Sequence, residues 1–479
     1  MAGCPFASRR GFLGAAGAAL TASTLAGSAS ARGSDDAAGG TGATYDTVPF
    51  HGPHQAGIAT PQQTHVLLAS FDLTAADAGA VARTLRAWTE AASRLTAGRP
   101  ALPHANPDRP PHANPDRPPA DSGEVLGLSP SRLTLTFGFG PGLFERDGQD
   151  RYGLKAQRPA ALVDLPRFNG DQLEAARSGG DLCIQACADD PQVAFHAIRQ
   201  LARIAAPDDA GAGYGGKPAG ATAATDAKRG TAVLRWLQAG FLPRTPAGET
   251  PRNLLGFKDG TQNPGLPGAA ERSQGRVVGN GTLDDAVWVG TEGPGWMRGG
   301  SYLVTRRIRL ALEHWDRSAL DFQEQVIGRR KASGAPLSGG GEFAPLDLDA
   351  VDADGNPVIA DNAHVRLGAA AANGGARILR RSYSYDDGLS FVAERWPPWR
   401  QGLEYDAGLI FMAFQRDPRG GFIRIYERMS KLDLLNQYAT HVGSAIFACP
   451  GGVAPGGFVG EALFAQAGVT SAGPPPPAG

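Results

Sequence analysis

Apolar residues recur along this chain in two rhythms, and their order outlines a fold. Residues 64–73 (Thr64-His-Val-Leu-Leu-Ala-Ser-Phe-Asp-Leu73) form a short apolar run that reads as a buried strand. Residues 75–95 carry Ala, Val, Leu and Trp at helical spacing. Leu133-Thr-Leu-Thr-Phe-Gly-Phe139 alternates apolar with small or polar residues and stops at Gly-Pro-Gly, which predicts a second strand. Residues 181–188 make a third strand, 191–204 a helix with proline at a favourable first-turn position, and 232–237 a fourth strand. That series suits a βαββαβ unit of the ferredoxin-like kind. A similar series follows: strand 301–312, helix 317–327, strand 407–415, a short strand at 422–426 and a closing helix at 429–437. The fold class is therefore α+β, and the recurrence supports duplication of the unit without a clear residue-level repeat.

With 479 residues the chain exceeds what one compact core needs, and the usual domain size suggests two or three. We place an N-terminal unit at 45–245 and a C-terminal unit at 246–470. Residues 1–31 differ from both: Ser8-Arg-Arg-Gly-Phe-Leu13 precedes an apolar run and a small-residue site at Ala29-Ser-Ala31, the layout of a removable export signal. The run is too short and too rich in Ala and Gly for a stable membrane span. Residues 32–44 have no core-forming content and read as a flexible leader. Two insertions interrupt the N-terminal unit. At 100–120, His-Ala-Asn-Pro-Asp-Arg-Pro-Pro occurs in tandem at 104–111 and 112–119; its prolines exclude a helix, so His104 and His112 read as solvated loop residues. At 206–230 a stretch low in apolar bulk reads as a second flexible insertion.

Charge excludes some partners. The chain has 46 basic and 47 acidic residues, and this balance gives no reason to expect nucleic acid or an anionic membrane surface. Cys4 leaves with the signal, so Cys183, Cys187 and Cys449 remain, an odd set that offers no disulfide framework. Cys183 and Cys187 lie four apart in an apolar stretch and read as packing.

Two stretches carry candidate chemistry. In Gly256-Phe-Lys-Asp-Gly-Thr-Gln-Asn-Pro264, Gly256 and Gly260 bracket Asp259. Glycine permits positive φ and close approach of backbone to a flat ligand, and the same residues also make ordinary turns. The second stretch is Asp361-Asn-Ala-His-Val-Arg-Leu367, which contains His364, followed by Arg377-Ile-Leu-Arg-Arg-Ser-Tyr-Ser-Tyr385. Of nine histidines, His104 and His112 lie in the repeat, and His51 and His54 in a Pro/Gly-rich opening segment. For His65, His196 and His314 a core or surface role suffices, and His441 follows a helix near the end.

Together these motifs resemble the dye-decolourising peroxidases, most closely the branch exported by the twin-arginine route and also described as deferrochelatases. The resemblance extends to Val48-Pro-Phe-His-Gly-Pro-His-Gln-Ala-Gly-Ile58, Asp181-Leu-Cys-Ile-Gln-Ala-Cys187, Gly299-Gly-Ser-Tyr-Leu-Val-Thr-Arg-Arg-Ile-Arg309 and Ile327-Gly-Arg329. It implies two ferredoxin-like domains in a dimeric-αβ-barrel-like structure whose sheets enclose one haem b, held mainly by the C-terminal domain. His364 then matches the axial ligand of haem iron, with His441 as the runner-up. Asp406, just before Ala407-Gly-Leu-Ile-Phe411, matches the carboxylate that accepts from the far nitrogen of that histidine. Asp259 matches the acid–base group that moves a proton between the peroxide oxygens, which suits an acidic optimum. Arg380 matches the cation that stabilises the departing hydroxide, and spacing leaves Arg381 open for the same role. Gly260, Thr261 and Gln262 are implied as backbone contacts to haem, and Arg329 as a partner of a propionate. One departure stands out: Gly368-Ala-Ala-Ala-Ala-Asn-Gly-Gly375 replaces the Ala-Asn-Pro-Arg that often continues the histidine motif.

The activity implied is a haem b peroxidase that uses hydrogen peroxide to oxidise aromatic or dye-like donors. The alternative is a deferrochelatase or haem-handling protein that releases iron from haem for an iron-uptake system, and both need the same pocket. Arg9-Arg10 with Phe12 resembles a twin-arginine signal, which implies the periplasm, cell envelope or outside of the cell. A homo-oligomer is compatible with these features.

Overall fold

The computed structural model describes residues 46–102, 121–206, 230–246, 249–264, 283–393 and 401–469. The export signal, the leader, the tandem repeat with His104 and His112, and nearly all of the 206–230 insertion lie outside the described residues. Strands β1 (His65–Leu73), β2 (Thr134–Phe139), β3 (Leu182–Ala188) and β4 (Ala232–Phe241) pair antiparallel in the order β2-β3-β1-β4. Helices α1 (Ala78–Leu95) and α2 (Pro191–Ala205) connect them as the apolar rhythm predicts. Both start at aspartate caps: Asp77 accepts from Ala80 N at 2.7 Å, and Asp190 accepts from Gln192 N and Val193 N.

The second half contains β5 (Ser301–Leu310), β6 (Leu379–Arg380), β7 (Tyr383–Ala393), β8 (Gln401–Gln415) and β9 (Ala439–Cys449). Its helices include α3 (Leu320–Ile327), α4 (His364–Gly368) and α5 (Arg424–Leu432). The strand order β9-β5-β8-β7 repeats the topology of the first half. β6 is the start of β7: Leu379↔Phe414, Arg380↔Ala413 and Tyr383↔Ile410 share one register on β8. The two sheets join where Phe139 pairs with Ala448 and Phe241 with Ser384, closing an antiparallel barrel. The division at 245/246 thus falls between β4 and β5, while the barrel itself is shared.

Apolar side chains fill both faces of the wall. Leu68, Tyr383, Tyr385, Ile410, Met412, Phe414 and Phe447 form one buried cluster with Cys183, Cys187 and Cys449, all three free thiols. Packing is the role these cysteines have here. On the other face α1 and α2 bury Trp88, Phe71, Phe137 and Leu201, and Trp88 donates its indole N–H to the carbonyl of Leu201 at 2.7 Å.

The 422–426 stretch is not a strand. Phe422, Ile425 and Met429 are buried at helical spacing, and the Phe422 amide is held by the Gln415 side chain at 2.6 Å, so the chain turns at Arg419–Ile423 and enters α5. The closing helix also sits earlier than 429–437: it ends at Leu432 because Asp433 is extended and caps a separate turn, Leu434–Gln437. β9, which the apolar rhythm did not reveal, fills the fourth strand position of the second half.

α2 carries a buried charge cluster. His196 Nε2 lies 3.5 Å from Asp121, and Nδ1 lies 3.2 Å from Glu124. Burial opposes charge on His196, but the Asp121 and Glu124 carboxylates outweigh it and raise its pKa above 6.5. Burial likewise works against both carboxylates, yet the neighbouring His196 ring, the Ala101 and Gly123 amides on Asp121 and Ser122 beside Glu124 hold each at about 2. The cluster's stabilisation is therefore present below the unfolded histidine value and lost as pH rises through the raised folded one. On the acid side it is lost as pH falls toward the depressed carboxylate values. The melting temperature of the wild type relative to His196→Gln should be greatest between about pH 5 and 6.5 and shrink above and below. A pH-independent difference in thermal scans would contradict this.

Candidate functional site

The loop between β4 and β5 builds the first half of the site. Asn253 accepts the Leu255 and Phe257 amides on its side chain, and its own backbone pairs with Phe257 and Gly256. Gly256 has φ +84 with Lys331 packed above it, and Gly260 has φ +107, so the two glycines make the turns their spacing predicts. Between them the Asp259 amide is held by Pro251 O at 2.9 Å. The Asp259 carboxylate then meets Arg380 Nη1 at 3.3 Å, both side chains part-exposed.

Asn263 locks this loop to β6. Its side-chain amide donates to Arg380 O at 2.7 Å and accepts from Arg380 N at 3.1 Å, so one residue satisfies both backbone groups of the arginine that faces Asp259. Arg381 points elsewhere. It is buried, with Nη1 on Thr60 O and Nη2 on Gln63, beside Tyr383 and Cys187. A cleft of about 380 Å³ opens by the Asp259–Arg380 pair, with Gly260, Asn263, Ser382 and Leu409 in its walls. Of the neighbouring residues, Thr261 is buried with its hydroxyl on Glu342 at 3.3 Å, and Gln262 is exposed.

The second half is His364, the first residue of α4. Its Nδ1 hydrogen-bonds Asp433 Oδ2 at 2.7 Å, and Asp433 is buried with its other oxygen on the Leu435 amide. The expectation that Asp406 takes this place is corrected: Asp406 accepts from Arg307 at 2.8 Å, with Arg177 at 3.8 Å. Asp433 reaches His364 because α5 ends one residue earlier, which turns its carboxylate toward α4. Burial opposes charge on His364, and the Asp433 carboxylate outweighs it, raising the pKa. Arg380 and Asp259 both act on the same ring, which places the two halves of the site in one electrostatic neighbourhood. Nδ1 is committed, so Nε2 is the nitrogen available to a metal. His441, the runner-up, is not available: Arg306 Nε donates to its Nδ1 at 2.9 Å, and its Nε2 meets the Tyr426 hydroxyl at 2.7 Å.

Arg329 bears on whether a porphyrin fits. It is buried, with Nη1 on the carbonyls of Gly334 and Glu342 at 2.7 and 2.8 Å, while Nη2 is buried without a hydrogen-bond partner. Burial pushes its pKa down, Glu342 opposes that, and nearby Arg380 adds to it. An orphaned guanidinium nitrogen beside a second arginine fits an anionic group such as a propionate.

A closed antiparallel barrel carrying a carboxylate-backed histidine and an Asp–Arg pair defines the class of haem-dependent oxidoreductases that act on peroxide. The Dyp-type peroxidase N-terminal family model matches residues 55–208, and its C-terminal counterpart matches 250–454. A dye-decolorizing peroxidase of Thermobifida fusca is 37% identical over 86% of this chain and 83% of its own length. A deferrochelatase of Escherichia coli K12 is 34% identical over 87% of each. Among solved structures, ferric DtpA from Streptomyces lividans is 39% identical with a TM-score of 0.68, covering 88% of this chain and 97% of its own. A DyP-type peroxidase from Cellulomonas bogoriensis is 36% identical with a TM-score of 0.69, covering 87% and 98%. The chain belongs to the Dyp-type peroxidase family, whose cofactor is haem.

Proposed function

We propose that this chain holds one haem b between His364 and the Asp259–Arg380 pair and uses hydrogen peroxide to oxidise bulky aromatic, dye-like donors. The observation that carries this reading is the 2.7 Å bond that ties His364 Nδ1 to buried Asp433 and leaves Nε2 as the donor for iron. His364 Nε2 would bind the iron, Arg329 Nη2 a propionate, and Gly260, Thr261 and Gln262 would offer backbone to the porphyrin. Haem supplies the redox-active iron for peroxide reduction. Asp433 holds the Nδ1 proton and lends the imidazole anionic character, which strengthens its donor nitrogen. Asp259 takes a proton from one peroxide oxygen and returns it to the other, so that the leaving oxygen departs as water. Arg380 presents its guanidinium to that oxygen and stabilises negative charge on it. Asp433→Asn should weaken haem binding roughly 10–100-fold and raise the reduction potential, whereas Asp406→Asn should leave both unchanged. Haem titration and spectroelectrochemistry compare them; equal behaviour of the two variants would contradict the assignment.

The relatives named deferrochelatase favour a second physiological role, iron release from haem to an iron-uptake system, served by the same pocket. Peroxide-dependent dye turnover, set beside iron release from added haem with the porphyrin intact, separates the two. Turnover without iron release supports the peroxidase; iron release with negligible turnover overturns it.

Arg9-Arg10 supports export by the twin-arginine route to the periplasm, cell envelope or medium, with the folded protein carrying its haem. Replacing both arginines with lysine should hold the precursor in the cytoplasm with its catalytic constants unchanged. Unimpaired export of that variant would mean another route reads the signal.

A further inference from the structure

We propose that one mouth of the barrel is a separate donor site, where a one-ring phenol binds and gives up its electron across β8 to the haem. The proposal rests on haem lying by Asp259 and Arg380. Residues of five strands drawn from both halves line a cavity of about 350 Å³, among them Leu68 of β1, Trp236 of β4, Thr305 of β5, Ile410 of β8 and Gly443 of β9. Only the inside of a closed barrel brings these strands together, and barrel mouths are favoured places for small ligands. β8 divides this cavity from the cleft by the Asp259–Arg380 pair: Ile410 lines the cavity, and its neighbour Leu409 lines the cleft. Adjacent side chains leave opposite faces of a strand, so the two chambers stand back to back with the sheet between them.

The cavity is formed before any ligand arrives. The Trp236 indole donates to Gly179 O at 2.9 Å, and the segment carrying Gly179 runs along β9, with Glu174 N on Val442 O at 2.8 Å and Gly179 N on Ser444 O at 2.9 Å. Gly443 lets that segment approach, because a Cβ there would stand 2.6 Å from Arg177 O. Arg307 donates from Nε to Gln238 at 2.8 Å and from Nη2 to Asp387 at 2.9 Å and Asp406 at 2.8 Å. It thereby grips β7 and β8 at the bulge in β7, where Asp387 and Gly388 together oppose Asp406.

Two groups are left for a ligand. The Thr305 hydroxyl and Arg307 Nη1 have no hydrogen-bond partner among the described residues, although Thr305 is only 4% and Arg307 7% exposed and both line the cavity. They stand two places apart on one face of β5, roughly 7 Å, a span that a single oxygen bridges. A hydroxyl does so by accepting from Arg307 and donating to Thr305. Leu68, Trp236 and Ile410 supply an apolar wall for a ring. Arg177 and Arg307 are offset by Asp387 and Asp406, with Arg177 3.5 and 3.8 Å from the two carboxylates, so a charged group on the ring gains nothing. The volume is at the low end for ligand sites and excludes a polycyclic dye. Two phenols each lose one electron and one proton, which leaves through the mouth to solvent, and become phenoxyl radicals. One hydrogen peroxide takes up two electrons and two protons and becomes two waters.

Calorimetric titration of 4-methylphenol into the haem-loaded protein, with cyanide holding the iron, tests the site apart from turnover. The wild type should bind one phenol with a Kd of about 1 mM or tighter. Thr305→Val, which removes only the hydroxyl, should weaken binding about 3–10-fold, and Thr305→Ser should restore it. Thr305→Leu also fills the cavity and should abolish binding; if its melting curve shows that it does not fold, Thr305→Val carries the test. In steady state the KM for 4-methylphenol should rise in Thr305→Val by the factor seen in binding, relative to the KM for a bulky dye. No binding to the cyanide-held wild type, or equal binding by Thr305→Val and wild type, overturns the site. Binding that follows the variants while the two KM values keep their ratio overturns the donor role. Absence of peroxide turnover with every donor would count against the peroxidase reading instead.

Discussion

His364→Ala should strip the protein of its haem: we expect affinity at least ~100-fold weaker, beyond the roughly 10–100-fold cost of losing only a hydrogen-bond partner of a ligand. The expectation rests on the bond from Nδ1 to buried Asp433, which orients the ring and leaves a single nitrogen for iron. No other described histidine has this arrangement with the Asp259–Arg380 pair in its field, and His441 has both nitrogens bonded. Added imidazole should restore part of the Soret band, because the cavity left by the side chain admits the free base. The variant is compared with wild type by haem titration and optical spectra. Full haem content with an unchanged spectrum would remove His364 from the role.

The next largest effect is expected on the other side of the site. Asp259→Asn keeps size and removes the base, so the first reaction with peroxide should slow while haem stays bound; general acid–base groups contribute roughly 10²–10⁴. Arg380→Leu removes the cation and should slow the same reaction. It also breaks the 3.3 Å contact with Asp259 while leaving the Asn263 bonds to the Arg380 backbone, so the loop should keep its course. At least one of the two should cost about 10²-fold or more. Stopped-flow mixing with peroxide, followed at the Soret band, gives the rate constants. Wild-type values in both variants would disprove the proposed proton path even if haem binds as expected.

The first half of the fold was legible because its elements carry strong, uninterrupted apolar signals. β1 and β3 are buried along nearly their whole length, and α1 and α2 begin at aspartate caps. The second half was less so. β9 is built largely from Ala, Gly, Ser and Thr, which serve the crowded barrel wall but give little alternation. β7 starts with a readable Tyr383-Ser-Tyr385 alternation and then loses it at the bulge. Within the site, the two motifs located Asp259, His364 and Arg380. Asp433 escaped because it lies among leucines in a stretch that reads as continuous helix; the signal was an aspartate preceding Leu434-Leu435, the mark of a new capped turn. Asn263 was inside a quoted motif, but its role depends on a strand far along the chain.

The shared register of β6 and β7 on β8 makes the choice between Arg380 and Arg381 a question of parity. Adjacent side chains leave opposite faces of a strand, so a slip of one residue would exchange them, sending Arg381 toward Asp259 and burying Arg380 by Gln63. What forbids the slip is pairing with β8 and the two Asn263 bonds to the Arg380 backbone, none of which involves the preceding 368–375 segment. That segment is thereby released from any duty as a ruler. Its composition and length can drift through insertion or deletion while the arginine that faces Asp259 remains the same.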